Sequence, residues 1–340
     1  MHHPFQPFLR ALSFVTLLAA FPAALAAQTT TFEGSSDGWL GVTLPFPTPS
    51  SPPTELATTT VTTLQATGGN PDGYLRMADP DGSLPVGNTQ YWKAPPSFLG
   101  DRSASLGGVL RYDVRVFTSL STFLQEDVLM TGNGLTLAWT AGATPSPNAW
   151  RTFAVPLQAG SWRIGTRTGP FASQAQVAAV LASVTSLYLR GEFQNGPDTM
   201  GLDNVAFVPT AVAQSFGAPC TDPAAAVQLV ATSPPRLGQL YDLQATGPAS
   251  ASLGVFVHST TAFPGGIDLG GVGLPGCQQY VELEIVTFAP IAGGIALQSI
   301  PLPNRLDLVG LHLYSQAAAV APVNAYGLAV SAGLDAQLGS

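Results

Sequence analysis

VLRYDVRV, residues 109–116, alternates without a break: Leu110, Tyr112, Val114 and Val116 fall on one parity, and Arg111, Asp113 and Arg115 on the other. A period of two sets one row against a core and the other in water, so the stretch predicts a half-buried β-strand. Short apolar runs of the same kind, punctuated by turn residues, recur from Gln28 to about Pro209 and again from Cys220 onward. Gly at 36, Pro at 30 and a hydrophobic content of 46% in 340 residues suit many short strands joined by tight turns. The expectation is an all-β protein of two tandem β-sandwiches, jelly-roll-like, with one short helix in the first. That helix is read at QAQVAAVLA, where Val177, Val180 and Leu181 recur at helical spacing behind Ser173 as N-cap.

The first 27 residues, one Arg followed by an apolar run from Ala11 to Phe21 and then Ala24-Leu25-Ala26, have the order of a secretory signal peptide. The run is shorter than the roughly 20 residues a spanning helix needs, and no later stretch is apolar enough to cross a membrane. The expected division is therefore signal peptide 1–27, first sandwich 28–209 and second sandwich 217–340. The junction falls in VAFVPTAVAQSFGAPC, residues 205–220, which holds Pro209 and Pro219. In YVELEIVTF, residues 280–288, the alternation assigns Val281, Leu283 and Ile285 to the core and Glu282 and Glu284 to water. LPFPTPSSPPTELATTT, residues 44–60, has no period and reads as an extended loop or a partner-recognition segment.

Charge excludes one class of function. Twelve basic residues stand against 20 acidic ones, a net −8, and Lys93 is the only lysine. A nucleic-acid binder needs clustered cations to displace phosphate counterions, and the chain has none. In an oxidising compartment Cys220 and Cys277, the two cysteines, are expected to form a disulfide. His258 and His312 make no ligand spacing with them.

Two carboxylates attract attention. Asp203 in GLDNVAF, residues 201–207, shares parity with Val205 and Phe207, which aims it toward the core side. A buried carboxylate needs a cation or several donors. Arg190, Arg76 and a metal are the candidate partners. Calcium takes hard oxygen ligands from distant parts of a chain, and Glu33 in TTFEGSSDGW could meet Asp203 if the first and last strands are neighbours. From spacing alone, an arginine pair or a turn cap serves equally well.

YWKAPPSFLGDRSASLGGVLRYDV (91–114), VLASVTSLYLRGEF (180–193) and GLDNVAF together resemble the laminin IV, or laminin B, domain, and FEGSSDGW resembles the first strand of such jelly-roll modules. The resemblance implies a β-sandwich related to carbohydrate-binding jelly rolls, in which a first-strand acid and a last-strand acid hold a structural calcium. In this sequence those are Glu33 and Asp203. No cysteine-rich EGF-like repeats flank the segment, which departs from laminins. PLPNRLDLVGLHLYSQAAAV and NAYGLAVSAGL, in the second half, resemble a module of unassigned function found at the ends of exported bacterial proteins.

Catalytic motifs are weak. GSSDG, residues 34–38, satisfies G-x-S-x-G, but a nucleophile elbow needs a helix after it, and Trp39 with LGVTLPFP does not predict one. The DPDG run from Asp79 to Gly82 lacks the remaining ligands of an EF-hand. Tyr91, Trp92, Trp139, Trp150 and Trp162 are either sugar-stacking rings or core residues, with Trp139 on the core side by its parity with Leu135 and Leu137. The expected function is that of a secreted, non-catalytic binding or adhesion protein. Its partner would be polysaccharide or an extracellular matrix or surface protein. The alternative is a structural surface component without glycan binding.

Overall fold

The computed structural model describes residues 28–45, 53–79, 88–117, 123–142, 145–222, 226–324 and 326–340. The signal-like segment 1–27, the middle of the Pro-rich stretch and the DPDG run after Asp79 lie outside them. The first group of strands is β1 (Thr29–Thr30), β2 (Leu40–Pro45), β3 (Leu56–Gln65), β4 (Tyr74–Asp79), β5 (Asn88–Lys93), β6 (Val109–Val116), β7 (Val128–Gly132), β8 (Leu135–Trp139), β9 (Trp150–Pro156) and β10 (Arg163–Ile164). Helix α1 (Gln174–Leu181), β11 (Val184–Arg190) and β12 (Asp198–Val208) complete it. The second group is β13 (Val212–Phe216), β14 (Ala226–Ala231), β15 (Leu240–Thr246), β16 (Leu253–Ser259), β17 (Ala262–Asp268), β18 (Gln278–Val281), β19 (Ile285–Pro290), β20 (Ile295–Pro301), β21 (His312–Val320) and β22 (Leu328–Gln337). Among the described residues the protein is all-β apart from α1 and short 3-10 turns.

In the first group the hydrogen-bonded path runs β10-β8-β7-β11-β5-β2-β3-β4-β12-β6-β9, with β1 on β12. Strand β3 belongs to both layers of the sandwich. Its first half pairs with β2, at Leu56 and Thr60, and its second half, Val61 to Gln65, with β4. One continuous ten-residue strand thus turns the corner between the sheets. The layers close over Leu110, Tyr112 and Val114 of β6 together with Trp39, Trp92, Trp162 and Phe207. Asn133 and Gly134 join β7 to β8 with φ of +49° and +71°; both central residues are left-handed, the hairpin turn for which Asn-Gly is suited.

Helix α1 forms where its sequence predicts it. The Ser173 hydroxyl accepts from the Gln176 N–H at 3.3 Å, and the Gln176 amide oxygen accepts from the Ser173 N–H at 2.9 Å, a reciprocal cap. Val177, Val180 and Leu181 are buried against the sandwich.

The second group orders as β19-β16-β21-β22-β14-β15-β20, with β13 on β22 and a separate β17-β18 ribbon. Its core gathers Tyr241, Leu243, Phe256 and Ala329 around the disulfide that joins Cys220 to Cys277. YVELEIVTF is not one strand: β18 ends at Val281, β19 begins at Ile285, and they lie in different sheets. Leu283 and Ile285, expected in the core, are exposed. The alternation ends at Val281: the chain leaves the β17-β18 ribbon there, and residues 282–286 are all exposed.

The two groups touch through Ala206 and Val208 of β12 and through Leu306 and Val309 of a turn before β21. The Arg111 guanidinium on β6 adds a 2.7 Å hydrogen bond to the side-chain oxygen of Asn304.

Candidate functional site: a buried oxygen cluster

Strand β12 runs between β4 and β6, with Asp203 opposite Asp113. The register slips by one residue just beyond, at Asn204, whose φ is +54°. The slip alters the parity argument. Leu202 and Val205, three residues apart, both enter the core, so Asp203 is not on the face of Val205 and Phe207 as the sequence suggested. It shares the opposite face of the sheet with Gly201 and Asp113, and it is the turn at residues 66–73 that buries it.

That turn is built to approach. A β-carbon at Gly69 would lie 2.0 Å from the Gly73 carbonyl oxygen and 2.9 Å from Asp203 Oδ2, so only glycine lets the backbone close down there. The Asn70 N–H donates to Asp203 Oδ2 at 2.7 Å, and the Asn204 N–H donates to Asp203 Oδ1 at 2.7 Å. The amides of Asn70 and Asn204 both donate to Asp113 Oδ2, at 2.9 and 2.8 Å, and the Asn204 amide also reaches the Asn70 carbonyl. Glu33, just after β1, accepts from the Gly73 N–H at 3.1 Å. Strand β1 itself pairs with β12, so the first and last strands of the sandwich are neighbours.

Donors therefore meet most of these oxygens, but no positive side chain is among them. Asp113 Oδ1 is buried without a hydrogen-bond partner. Burial lifts the Asp203 carboxyl to about 7; the two N–H donors oppose the shift, and the charges of Asp113 and Glu33 add to it. Arg190, a candidate partner, is engaged elsewhere. Its guanidinium lies 3.2 Å from Asp127 Oδ1, donates to the carbonyls of Glu192 and Phe123, and is flanked by the rings of Phe123 and Phe193.

A hard divalent cation takes oxygens of this kind: the carboxylates of Asp113, Asp203 and Glu33 face one turn, Asp113 Oδ1 has no hydrogen-bond partner, and no positive side chain is bonded to them. Among the described residues no three Asp, Glu, His or Cys side chains meet closely enough to enclose an ion on their own. Backbone and asparagine oxygens of the 66–73 turn would have to complete the shell. A cavity of about 380 Å³ opens beside the cluster, between Glu33, Asn70, Arg111 and Asn204 of the first sandwich and Asn304, Arg305 and Asp307 of the second.

Asp113 is the residue that sequence reasoning missed. Its parity with Arg111 and Arg115 marked it as solvated, yet it is fully buried. The missing signal was tertiary, a turn 40 residues upstream folding over that face.

Three of the five candidate rings, Tyr91, Trp92 and Trp162, are fully buried and offer no face to a sugar. Trp139 packs half-buried on the core. Trp150 is half-buried; its indole N–H donates to the Gly68 carbonyl at 2.9 Å and its ring sits edge-on to Tyr74. GSSDG is followed by strand β2, not by a helix, and the described histidines His258 and His312 lie in the second group of strands.

The chain is 28% identical over 130 residues to the basement membrane-specific heparan sulfate proteoglycan core protein of Mus musculus, covering 37% of this chain and 3% of that protein's length. Among solved structures, the L4b domain of human laminin alpha-2 superposes with a TM-score of 0.39 at 12% identity, over 54% of this chain and 97% of that one. A β-1,2-glucanase from Parabacteroides distasonis gives 0.32 at 12% identity, over 91% of this chain and 38% of that one. The family model described as Laminin B (Domain IV) matches residues 91–228, beginning at the YWK of β5 and running through Asp113 and Asp203 into β14.

Proposed function

We propose that the protein is a secreted, non-catalytic binding and adhesion protein whose first sandwich is held in its binding form by calcium. Glu33 and Asp203 are the metal's carboxylate ligands, and Asp113 Oδ1 faces the same cluster. The observation that carries the reading is this acid cluster with no positive side chain bonded to it, of which Asp113 and Asp203 lie on the segment matching Laminin B and Glu33 precedes it. Calcium would supply charge compensation and a fixed bond between the 66–73 turn and β12. The chain's own residues do the rest: Asn204 and Asn70 orient the two aspartates, and Gly69 admits the turn.

The ligand class we assign is polysaccharide, with an extracellular matrix or surface protein as the other partner type. Support for the sugar comes from the half-buried Trp150 beside the same turn and from the cavity next to Glu33, whose lining includes Asn70, Asn204 and Asn304. The non-catalytic assignment is supported by the strand that follows GSSDG and by the distance in fold between the acids and the histidines.

A pull-down of the mature protein on insoluble polysaccharides, in calcium and in chelator, tests the reading. Binding that chelator abolishes is the expected result. No binding in either condition would overturn the glycan assignment and direct the search to protein partners.

A further inference from the structure

The second group of strands nearly closes on itself. β19 and β20, the two ends of its sheet, come side by side without forming a ladder. They are joined only by the bridge between Ala292 and Ile295 at their hairpin and by a 2.6 Å bond from the Gln298 amide to the Thr287 hydroxyl. The seam between them exposes large apolar side chains. Phe288 is 66% exposed, Leu297 65%, Leu283 64% and Ile285 57%, with Val286 and Ile295 alongside. Behind them Leu253 and Val255 of β16, paired with Pro290 and Phe288, continue the apolar surface half-buried.

Strands β16, β19, β20 and β21 carry no Asp, Glu, Lys or Arg. Edge strands of soluble proteins are ordinarily guarded by charge; here the strands themselves carry none, and the charges at hand are Glu282 and Glu284, exposed on either side of Leu283 in the approach to β19. At roughly 80 Å² for each of the six side chains, the patch offers on the order of 500 Å² of apolar area, at the upper end of what a monomer leaves open. Two such patches with their exposed strand edges reach the roughly 1,200 Å² at which stable interfaces begin.

We propose that the β19–β20 seam is a self-association surface on which a second copy of this chain docks about a two-fold axis. The lack of charge selects the occupant. A partner bearing charges would have them desolvated against neutral strands, whereas a copy of β19 and β20 presents the same neutral apolar groups and unpaired edges, with Glu282 and Glu284 left at the rim. The sequence carries a matching sign: Leu283 and Ile285 follow a core alternation and yet have no core of their own chain to enter. The docking is independent of calcium and of any glycan.

Sedimentation of the full mature chain over a range of concentrations, with the variants Phe288→Lys and Leu297→Lys, is the experiment. Wild type should dimerise reversibly, each lysine should raise the dimer dissociation constant at least about tenfold, and thermal melts of the dissociated variants should retain both folded sandwiches. Val61→Lys, at an exposed apolar position on the first sandwich, should leave the dimer unchanged. If a lysine variant fails to fold, Phe288→Gln with Leu297→Gln tests the same contacts more mildly. A wild type that is monomeric up to its solubility limit would overturn the proposal, and so would a dimer indifferent to all of these seam substitutions.

Discussion

Replacing Asp203 by Asn separates an acid that needs a cation from one that only accepts hydrogen bonds. Burial, with Asp113 and Glu33 alongside, lifts its carboxyl from 3.8 to about 7. A gap of about three pH units opposes folding by on the order of 4 kcal/mol once the group is ionised, at about 1.4 kcal/mol per unit. Asparagine removes that cost. It also turns one acceptor into an NH2 group facing the N–H of Asn70 or of Asn204, a loss of roughly 1–3 kcal/mol. In chelator near about pH 8 the variant should therefore melt a few degrees above wild type, taking roughly 2–4 °C per kcal/mol for a domain of this size. Calcium should reverse the order, because the amide contributes no charge to the ion. Calorimetric melts of both proteins in chelator and in calcium give the four numbers needed. A variant that melts below wild type by the same margin in both conditions would refute the reasoning, since Asp203 would then be a plain acceptor for two backbone donors.

Three further predictions concern stability. Glu33→Ala should lose the calcium-induced rise in melting temperature while leaving the melt in chelator within about 1 kcal/mol of wild type; an undiminished calcium response would exclude Glu33 as a ligand. The folded pKa of Asp203 exceeds the unfolded one, so its contribution in chelator is most favourable while it is protonated, falls as pH rises from about 4 to about 7 and is flat above. Buried His258, whose pKa burial lowers, gives the opposite slope, so the difference between wild type and Asp203→Asn in urea titrations isolates the aspartate. Substituting Cys220 and Cys277 by serine opens a loop with a sequence separation of 57 and should cost the second sandwich about 4 kcal/mol, read in urea unfolding, with the first sandwich unaffected.

What the sequence made legible was local. VLRYDVRV is β6 because its alternation is complete within eight residues, and α1 forms at its Ser173 cap because both halves of that cap lie within four positions. What it hid was non-local. Asp113 looked solvated because nothing near it in sequence announces that the 66–73 turn will cover it. The orientation of Asp203 was misread because one extra residue at Asn204 shifts the register, and period-two counting assumes no such insertion. Trp92 and Trp162 enter the sandwich core, while Tyr91, the neighbour of Trp92 on β5, packs in a separate cluster with Leu44, Leu129 and Tyr188, so period-two counting could not place both as buried. Leu283 and Ile285 erred the other way: an apolar alternation says that a side chain will be covered, but not by which molecule.

Arg111 and Asp113 stand two positions apart on the same face of β6, about 7 Å along a strand held on both sides. One end grips Asn304 of the second sandwich, and the other lies in the oxygen cluster. A strand so braced is a short lever. Whatever fixes the cluster end therefore also steadies one of the contacts between the sandwiches, beside the apolar one among Ala206, Val208, Leu306 and Val309.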